Sequence, residues 1–142
     1  MNAPLNADDD TLVGAAREAI RTRYQYGRHH VGSAVRMRSG RVFTGLHLET
    51  HVGSGVCAEA VALGRAACEG EDEIDTSVAV RHPKPGELPR DIAVVSPCGT
   101  CRELISDYGP AARVIIPTPD GPRAVSIREL LPWKYLRPGS GA

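Results

Sequence analysis

From Leu12 onward, apolar side chains recur at every fourth position. Leu12, Ala16, Ile20 and Tyr24 therefore share one face of a helix. Asp10 or Thr11 can cap it, so a helix is expected from there to about Tyr24, preceded by a flexible tail over 1–9. The period then drops to two. Val31, Ser33, Val35 and Met37 alternate with Gly32, Ala34, Arg36 and Arg38, Ser39-Gly40 marks a turn, and Arg41 to Glu49 returns. This predicts a β-hairpin at the edge of a sheet. In the returning strand Val42, Thr44, Leu46 and Leu48 share one face, which leaves His47 and Glu49 together on the other.

The pattern alternates between helix and strand for the rest of the chain. Thr50 to Val56 is a Gly-rich turn in which Ser54 is a suitable N-cap for a helix from about Gly55 to Cys68 or Glu69. Ile74 to Val80 is rich in β-formers and predicts a central strand. The loop at 82–90 holds three prolines and a glycine, and Ile92 to Val95 is a short extended run. Ser96 as N-cap and Pro97 as first helical residue open another helix that ends at Gly109-Pro110. Arg113 to Ile116 predicts a strand, Asp120-Gly121 a turn, and Arg123 to Val125 a short edge strand. Ser126-Ile127-Arg128-Glu129 is a capping box opening a last short helix. Lys134 onward is a tail containing Tyr135, flexible over 138–142. The expectation is a single α/β domain over 1–142, a layered sheet with mixed strand directions.

Chemistry concentrates at two of the predicted helix starts. Cys57-Ala58-Glu59 supplies a thiol and a carboxylate two residues apart, and Ser96-Pro97-Cys98-Gly99-Thr100-Cys101-Arg102 supplies two thiols one helical turn apart. Helix N-termini stabilise thiolates, the form that binds zinc. Three protein ligands, an open fourth position and a carboxylate that is not a ligand are what a zinc deaminase requires. Glu59 is suited to move a proton from a water to ring N3 of a cytosine-like ring and then to the departing amine. Cys68 lies eleven residues beyond Cys57 along the same predicted helix, too far to join the site, and is expected to be a buried structural thiol. A closed structural zinc site would need a fourth ligand, for which His51 is nearest. A redox Cys-x-x-Cys would leave Cys57 and Glu59 unexplained.

Composition narrows the setting. The 142 residues are enough for one self-standing core, and 17 basic against 17 acidic residues argue against a protein that grips nucleic acid. The first ten residues carry Asp8-Asp9-Asp10 where a signal peptide would be apolar, and no apolar run reaches the roughly 20 residues of a membrane span. A reducing, cytoplasmic location is expected, where four cysteines favour metal binding over disulfides.

The pairing of Cys57-Ala58-Glu59 with Pro97-Cys98-Gly99-Thr100-Cys101-Arg102 resembles the cytidine deaminase family. Over about 28 to 137 the chain runs close to its blasticidin S deaminase type. Gly40-Arg41-Val42-Phe43-Thr44-Gly45 and Ile127-Arg128-Glu129-Leu130-Leu131-Pro132 carry the likeness further. The resemblance implies a zinc-dependent aminohydrolase with a five-stranded mixed sheet between helices, a three-layer sandwich. It also implies a homotetramer with active sites near subunit boundaries. Cys57, Cys98 and Cys101 match the family's zinc ligands, one ion per chain, and Glu59 matches its proton shuttle.

The substrate-reading positions depart from the family. His47-Leu48-Glu49 stands where nucleoside members carry Asn-x-Glu, His29 where they carry a Phe against the base, and Ala60 where an Arg commonly offsets thiolate charge. Tyr135 falls near a C-terminal aromatic that closes the pocket in the blasticidin S type. The candidate substrate-binding residues are thus His29, His47, Glu49, Ala58 and Tyr135. The implied substrate is a free cytosine nucleoside or a cytosine nucleoside antibiotic, or another amino-substituted nitrogen heterocycle. A catalytically idle zinc-binding module is the alternative of a different class.

Overall fold

A computed structural model describes residues 3–140. Its elements in chain order are β1 (Ala3–Pro4), α1 (Ala7–Arg23), β2 (Val31–Met37), β3 (Val42–Leu46), α2 (Ala58–Cys68), β4 (Ile74–Arg81), β5 (Ala93–Val95), α3 (Gly99–Tyr108), β6 (Arg113–Ile116), β7 (Arg123–Ser126) and α4 (Ile127–Leu130). The strands form one seven-stranded sheet in the order β1-β7-β6-β4-β2-β3, with β5 also paired to β4. The strands are antiparallel except for β4 with β6. The α/β sandwich is as expected; the strands beyond the five implied include the very short β1 and β5.

β2 shows why the layers sit where they do. Gly32, Ser33, Ala34 and Val35 are all buried, so both faces of the strand are covered. The hairpin is therefore not wholly at the edge: β2 lies between β4 and β3, and only β3 is outermost. On one face α1 packs through Leu12, Val13, Ala16 and Ile20 against Ala34, Val78 and Val80. Leu12 and Ile20 are fully buried, each contributing roughly 1.5–3 kcal/mol of burial. On the other face α2 and α3 pack through Ala62, Leu63, Ala66 and Ile105 against Val35, Met37 and Ile74.

Two glycines set the distance between layers. A Cβ at Gly32 would lie 2.6 Å from the Ala16 carbonyl oxygen of α1, and one at Gly45 would collide with Ala58 O and Ala62 N of α2. Gly45 thus lets the helix that starts beside Cys57 lie directly on β3. Val42, Thr44 and Leu46 share a face of β3 as expected, and it is the more exposed one; Phe43 and Gly45 form the buried face.

The N-terminal segment departs from the flexible tail expected over 1–9. From residue 3 it is part of the fold, because β1 pairs with β7 and Asn6, not Asp10 or Thr11, caps α1. Asn6 and Asp9 form a capping box. Asp9 is fully buried and takes two hydrogen bonds from the Arg113 guanidinium at 2.8 and 2.7 Å. Burial alone would raise its pKa, but those bonds and one from Asn6 N–H hold its carboxyl below the usual carboxylate range. β1 also covers β7, so Arg123 to Val125 is not an outermost strand. Of the tail expected over 138–142, residues 141 and 142 lie outside the described residues.

The remaining boundaries move for local reasons. Val56 and Leu48 exchange two backbone hydrogen bonds, at 2.8 and 3.0 Å, which hold residue 56 extended. α2 therefore starts after Cys57 rather than at Gly55, and α3 starts after Cys98 rather than Ser96. Cys68 is exposed, not buried. It ends α2 off the stripe formed by Ala58, Glu59, Ala62, Leu63 and Ala66. The capping box at Ser126 is present, with the Ser126 amide donating to Glu129 Oε2 at 2.9 Å.

Candidate active site

The N-termini of α2 and α3 converge, with Cys57 and Cys98 as the N-cap residues. Neither thiol makes a side-chain capping bond, so both remain available as ligands. Cys101, one turn into α3, is fully buried. The sulfurs of Cys57, Cys98 and Cys101 all lie within 4.8 Å of one another, and Cys57 Sγ is 3.3 Å from Cys98 Sγ. Tetrahedral zinc with bonds of about 2.3 Å holds its sulfurs about 3.8 Å apart, so the trio has the span of one zinc ion. His51 is not part of the group, so a closed four-ligand site has no support. Arg102 donates to Pro97 O at 3.0 Å and Leu130 O at 3.1 Å, tying the turn before Cys98 to the end of α4.

The electrostatics of the trio call for a cation. Burial pushes the Cys57 thiol up, reinforced by its bond with Cys98. Burial pushes Cys101 up strongly, and the Glu59 carboxylate adds to it. At Cys98 burial opposes ionisation, but the Cys101 amide and the neighbouring thiols outweigh it and hold that thiol down. Three thiols this close resist joint ionisation unless a dication is bound among them, which would ionise all three. The donor set therefore fits zinc.

Beside the thiols is a cavity of about 150 Å³ lined by Val31, His47, Cys57, Ala58, Glu59, Ala79, Val95, Ser96 and Cys98. That volume suits a single six-membered ring; an apolar cavity of about the same size accepts benzene. Glu59 is 6% exposed, and burial raises its carboxyl pKa. Ala58 is fully buried and lines the cavity. Val31, Ala79, Val95 and Ser96 were not singled out from the sequence. Ala79 and Val95 are register partners and Ser96 follows directly, so the wall forms where β5 joins β4.

The substrate-reading candidates divide. His47 lines the cavity; Glu49 does not, but its Oε2 is 3.3 Å from His47 Nε2, so the two share a face as expected. The Thr50 amide donates to Glu49 Oε1 at 2.9 Å, and this bond, foremost, holds the Glu49 carboxyl below its usual range. His29 does not line the cavity; its Nδ1 is 2.9 Å from His47 O. Tyr135 is 76% exposed and lines a separate cavity of about 940 Å³ with Glu103, Ser106, Asp107 and Lys134. Within this chain it does not approach the thiols' cavity.

Comparison with known proteins agrees with this geometry. Residues 6–118 match the cytidine and deoxycytidylate deaminase zinc-binding region. A blasticidin-S deaminase of Bacillus cereus is 46% identical over 94% of this chain and 96% of its own length. A cytidine deaminase of Halalkalibacterium halodurans is 32% identical over 90% and 94%. Among solved structures, the cytidine deaminase of Mycobacterium tuberculosis superposes with a TM-score of 0.73 at 27% identity, covering 93% of this chain and all of that one. No helix among the described residues is long and apolar enough to cross a membrane. Thiol trio, buried carboxylate, ring-sized cavity and relatives agree: the chain belongs to the cytidine and deoxycytidylate deaminase family and is a zinc-dependent hydrolytic deaminase of cytosine nucleosides.

Proposed function

We propose that the chain deaminates the cytosine ring of a nucleoside antibiotic of the blasticidin S type in preference to cytidine or deoxycytidine. Cys57, Cys98 and Cys101 would hold the zinc and Glu59 would carry the proton. The observation behind the assignment of roles is the placement of the buried Glu59 in one ring-sized cavity with Cys57 and Cys98. The preference rests on the greater likeness to the blasticidin-S deaminase, 46% against 32% for the cytidine deaminase. It also rests on His47 in the cavity wall.

Zinc supplies Lewis acidity that brings the pKa of a water to near 7. The chain's residues do the rest. Glu59 accepts the proton released by the water and passes it to ring N3, which makes C4 electrophilic. The water's oxygen bonds to C4, and Glu59 takes the remaining proton of that oxygen and delivers it to the amine as the C4–N bond breaks, C4=O forms and ammonia leaves. Burial favours the protonated carboxyl, so Glu59 holds a proton more readily than an exposed carboxylate would. Val31, Ala79 and Val95 offer the ring apolar walls. The small cavity leaves the rest of the substrate outside it, towards His47 and Glu49.

The proposed assembly is a homotetramer in the cytoplasm. Val42, Leu48, Val52, Val56, Trp133 and Leu136 are apolar and exposed on one chain, consistent with burial between copies. His29 and Glu49 are proposed to shape and read the substrate through His47. Tyr135 is proposed to act at a neighbouring copy's site.

An ultraviolet deamination screen over blasticidin S, cytidine, deoxycytidine and cytosine tests the preference. The expected result is a kcat/KM for blasticidin S at least about tenfold above the others. A preference for cytidine would overturn it, and turnover of none of the four would point to another amino-substituted heterocycle.

A further inference from the structure

The cavity wall at His47 is backed by a layer of rings that neither the zinc site nor the proton transfer uses. His30 lies 5.2 Å from His47 between ring centroids, Tyr26 5.8 Å from His30, and Tyr24 6.1 Å from His30. Tyr24 in turn stacks on His82 at 3.8 Å. We infer that His30 is a positioning residue for substrate recognition: it clamps the Tyr24–His30 loop so that its backbone amide holds the His47 ring in the cavity wall in one tautomer, with Nε2–H on Glu49. This deepens the reading of His47 as a substrate contact and rests on it.

The tautomer follows from the partners. The His30 backbone amide can only donate, and it meets His47 Nδ1 at 3.1 Å, so Nδ1 is the unprotonated acceptor. The proton of neutral His47 is then on Nε2, on the side of Glu49 Oε2. Aiming that amide requires both sides of residue 30 to be fixed. Its carbonyl accepts from the His82 amide at 2.8 Å, at the end of β4. Its side chain turns back and Nε2 accepts from the Gly27 amide at 2.7 Å. Gly27 has a φ of 79°, so the turn that presents this amide favours glycine. The loop is also sewn to the strand end it positions: His29 Nδ1 bonds His47 O, and the Glu49 amide donates to Arg28 O at 3.1 Å.

The two properties of the His30 ring can be separated. His30→Phe keeps a ring between Tyr26 and His47 but cannot accept from Gly27. His30→Gln removes the ring but keeps an acceptor of similar reach. Nitrogen-15 NMR of the imidazoles, on the zinc-loaded protein, reads the His47 tautomer, and steady-state kinetics on the best substrate of the screen separate KM from kcat. The expected result for His30→Phe is loss of the single Nε2–H tautomer and a KM raised about five- to tenfold with kcat within about twofold. His30→Gln is expected to restore both to within about twofold. An unchanged His47 tautomer and KM in His30→Phe, with only a lower Tm, would overturn the positioning role. His47→Ala distinguishes the two failures. If its KM rises while His30→Phe leaves KM unchanged, only the positioning role falls; if its KM is itself unchanged, the substrate reading of His47 falls.

Discussion

The two ends of the cavity are held by different kinds of structure. At the thiol end, Cys57 and Cys98 cap two helices whose packing is set by backbone contact at Gly45 and by Arg102 on Pro97 and Leu130. At the His47 wall, His47 and the neighbouring Glu49 follow a strand that has just ended at Leu46, and they are steadied by a loop, Tyr24–His30, through single hydrogen bonds. A reacting centre needs groups fixed to fractions of an ångström, which regular elements provide. Substrate choice can sit on loops without disturbing that centre. A division of this kind would let a chain keep a reaction while changing what it reads outside the ring.

The largest expected effect lies at the thiol end. Glu59→Gln should lower kcat by about 10²- to 10⁴-fold while zinc content stays at about one per chain, because the proton carrier is lost and no ligand is. Steady-state kinetics with metal analysis on the same preparation checks both halves; full activity would remove Glu59 from the mechanism. At the His47 wall, His47→Ala should act on KM, by about five- to tenfold, with kcat little changed. If it reduced kcat as strongly as Glu59→Gln, the division between the ends would be wrong.

Two further changes test the scaffold on either side of the sheet. Gly45→Ala places a methyl against Ala58 O and Ala62 N, so α2 must move. Overpacking of this kind costs about 1–3 kcal/mol, and zinc affinity should fall along with Tm because Cys57 moves with the helix. Asp9→Asn tests the opposite layer, far from the thiols. Its effect should appear in stability and not in zinc content. Asp9 is depressed in the folded state, so its contribution is complete above about pH 5, beyond the unfolded value near 3.9. It fades as pH falls through the lowered folded value. Denaturant melts of both proteins should therefore differ near neutral pH and draw together as the solution is acidified; a gap that widened in acid would contradict the sign. The smallest effect expected is at Tyr135, which stands apart from the cavity within one chain. Because it is proposed to act at a neighbouring copy's site, Tyr135→Ala should still lower kcat/KM by about two- to threefold, and a change of less than about twofold would remove Tyr135 from that site.

What could be read from the sequence follows the same division. Helix and strand patterns placed most elements: Leu12, Ala16 and Ile20 bury as their spacing says they should, and Arg113–Ile116 is a strand. The thiol–carboxylate group was legible because ligand spacing within a motif is local. The N-terminal strand was not, because Ala3–Pro4 carries no β signal of its own and is held by pairing with β7. Nor was the depth of β2, whose alternation suggests one wet face although α1 and α2 cover both. Cys68 was misplaced because burial depends on which stripe of α2 faces the sheet, and that is set by Gly45 rather than by the cysteine. The cavity wall at Ala79 and Val95 arises from strand register across the sheet, which no local pattern encodes.

Zinc content is the most direct test of the central claim that Cys57, Cys98 and Cys101 form one metal centre. Metal analysis of the purified chain and of Cys101→Ala, the buried member of the trio, should give about one zinc per chain and close to none, respectively. Full zinc occupancy in Cys101→Ala, with its fold intact, would contradict the account.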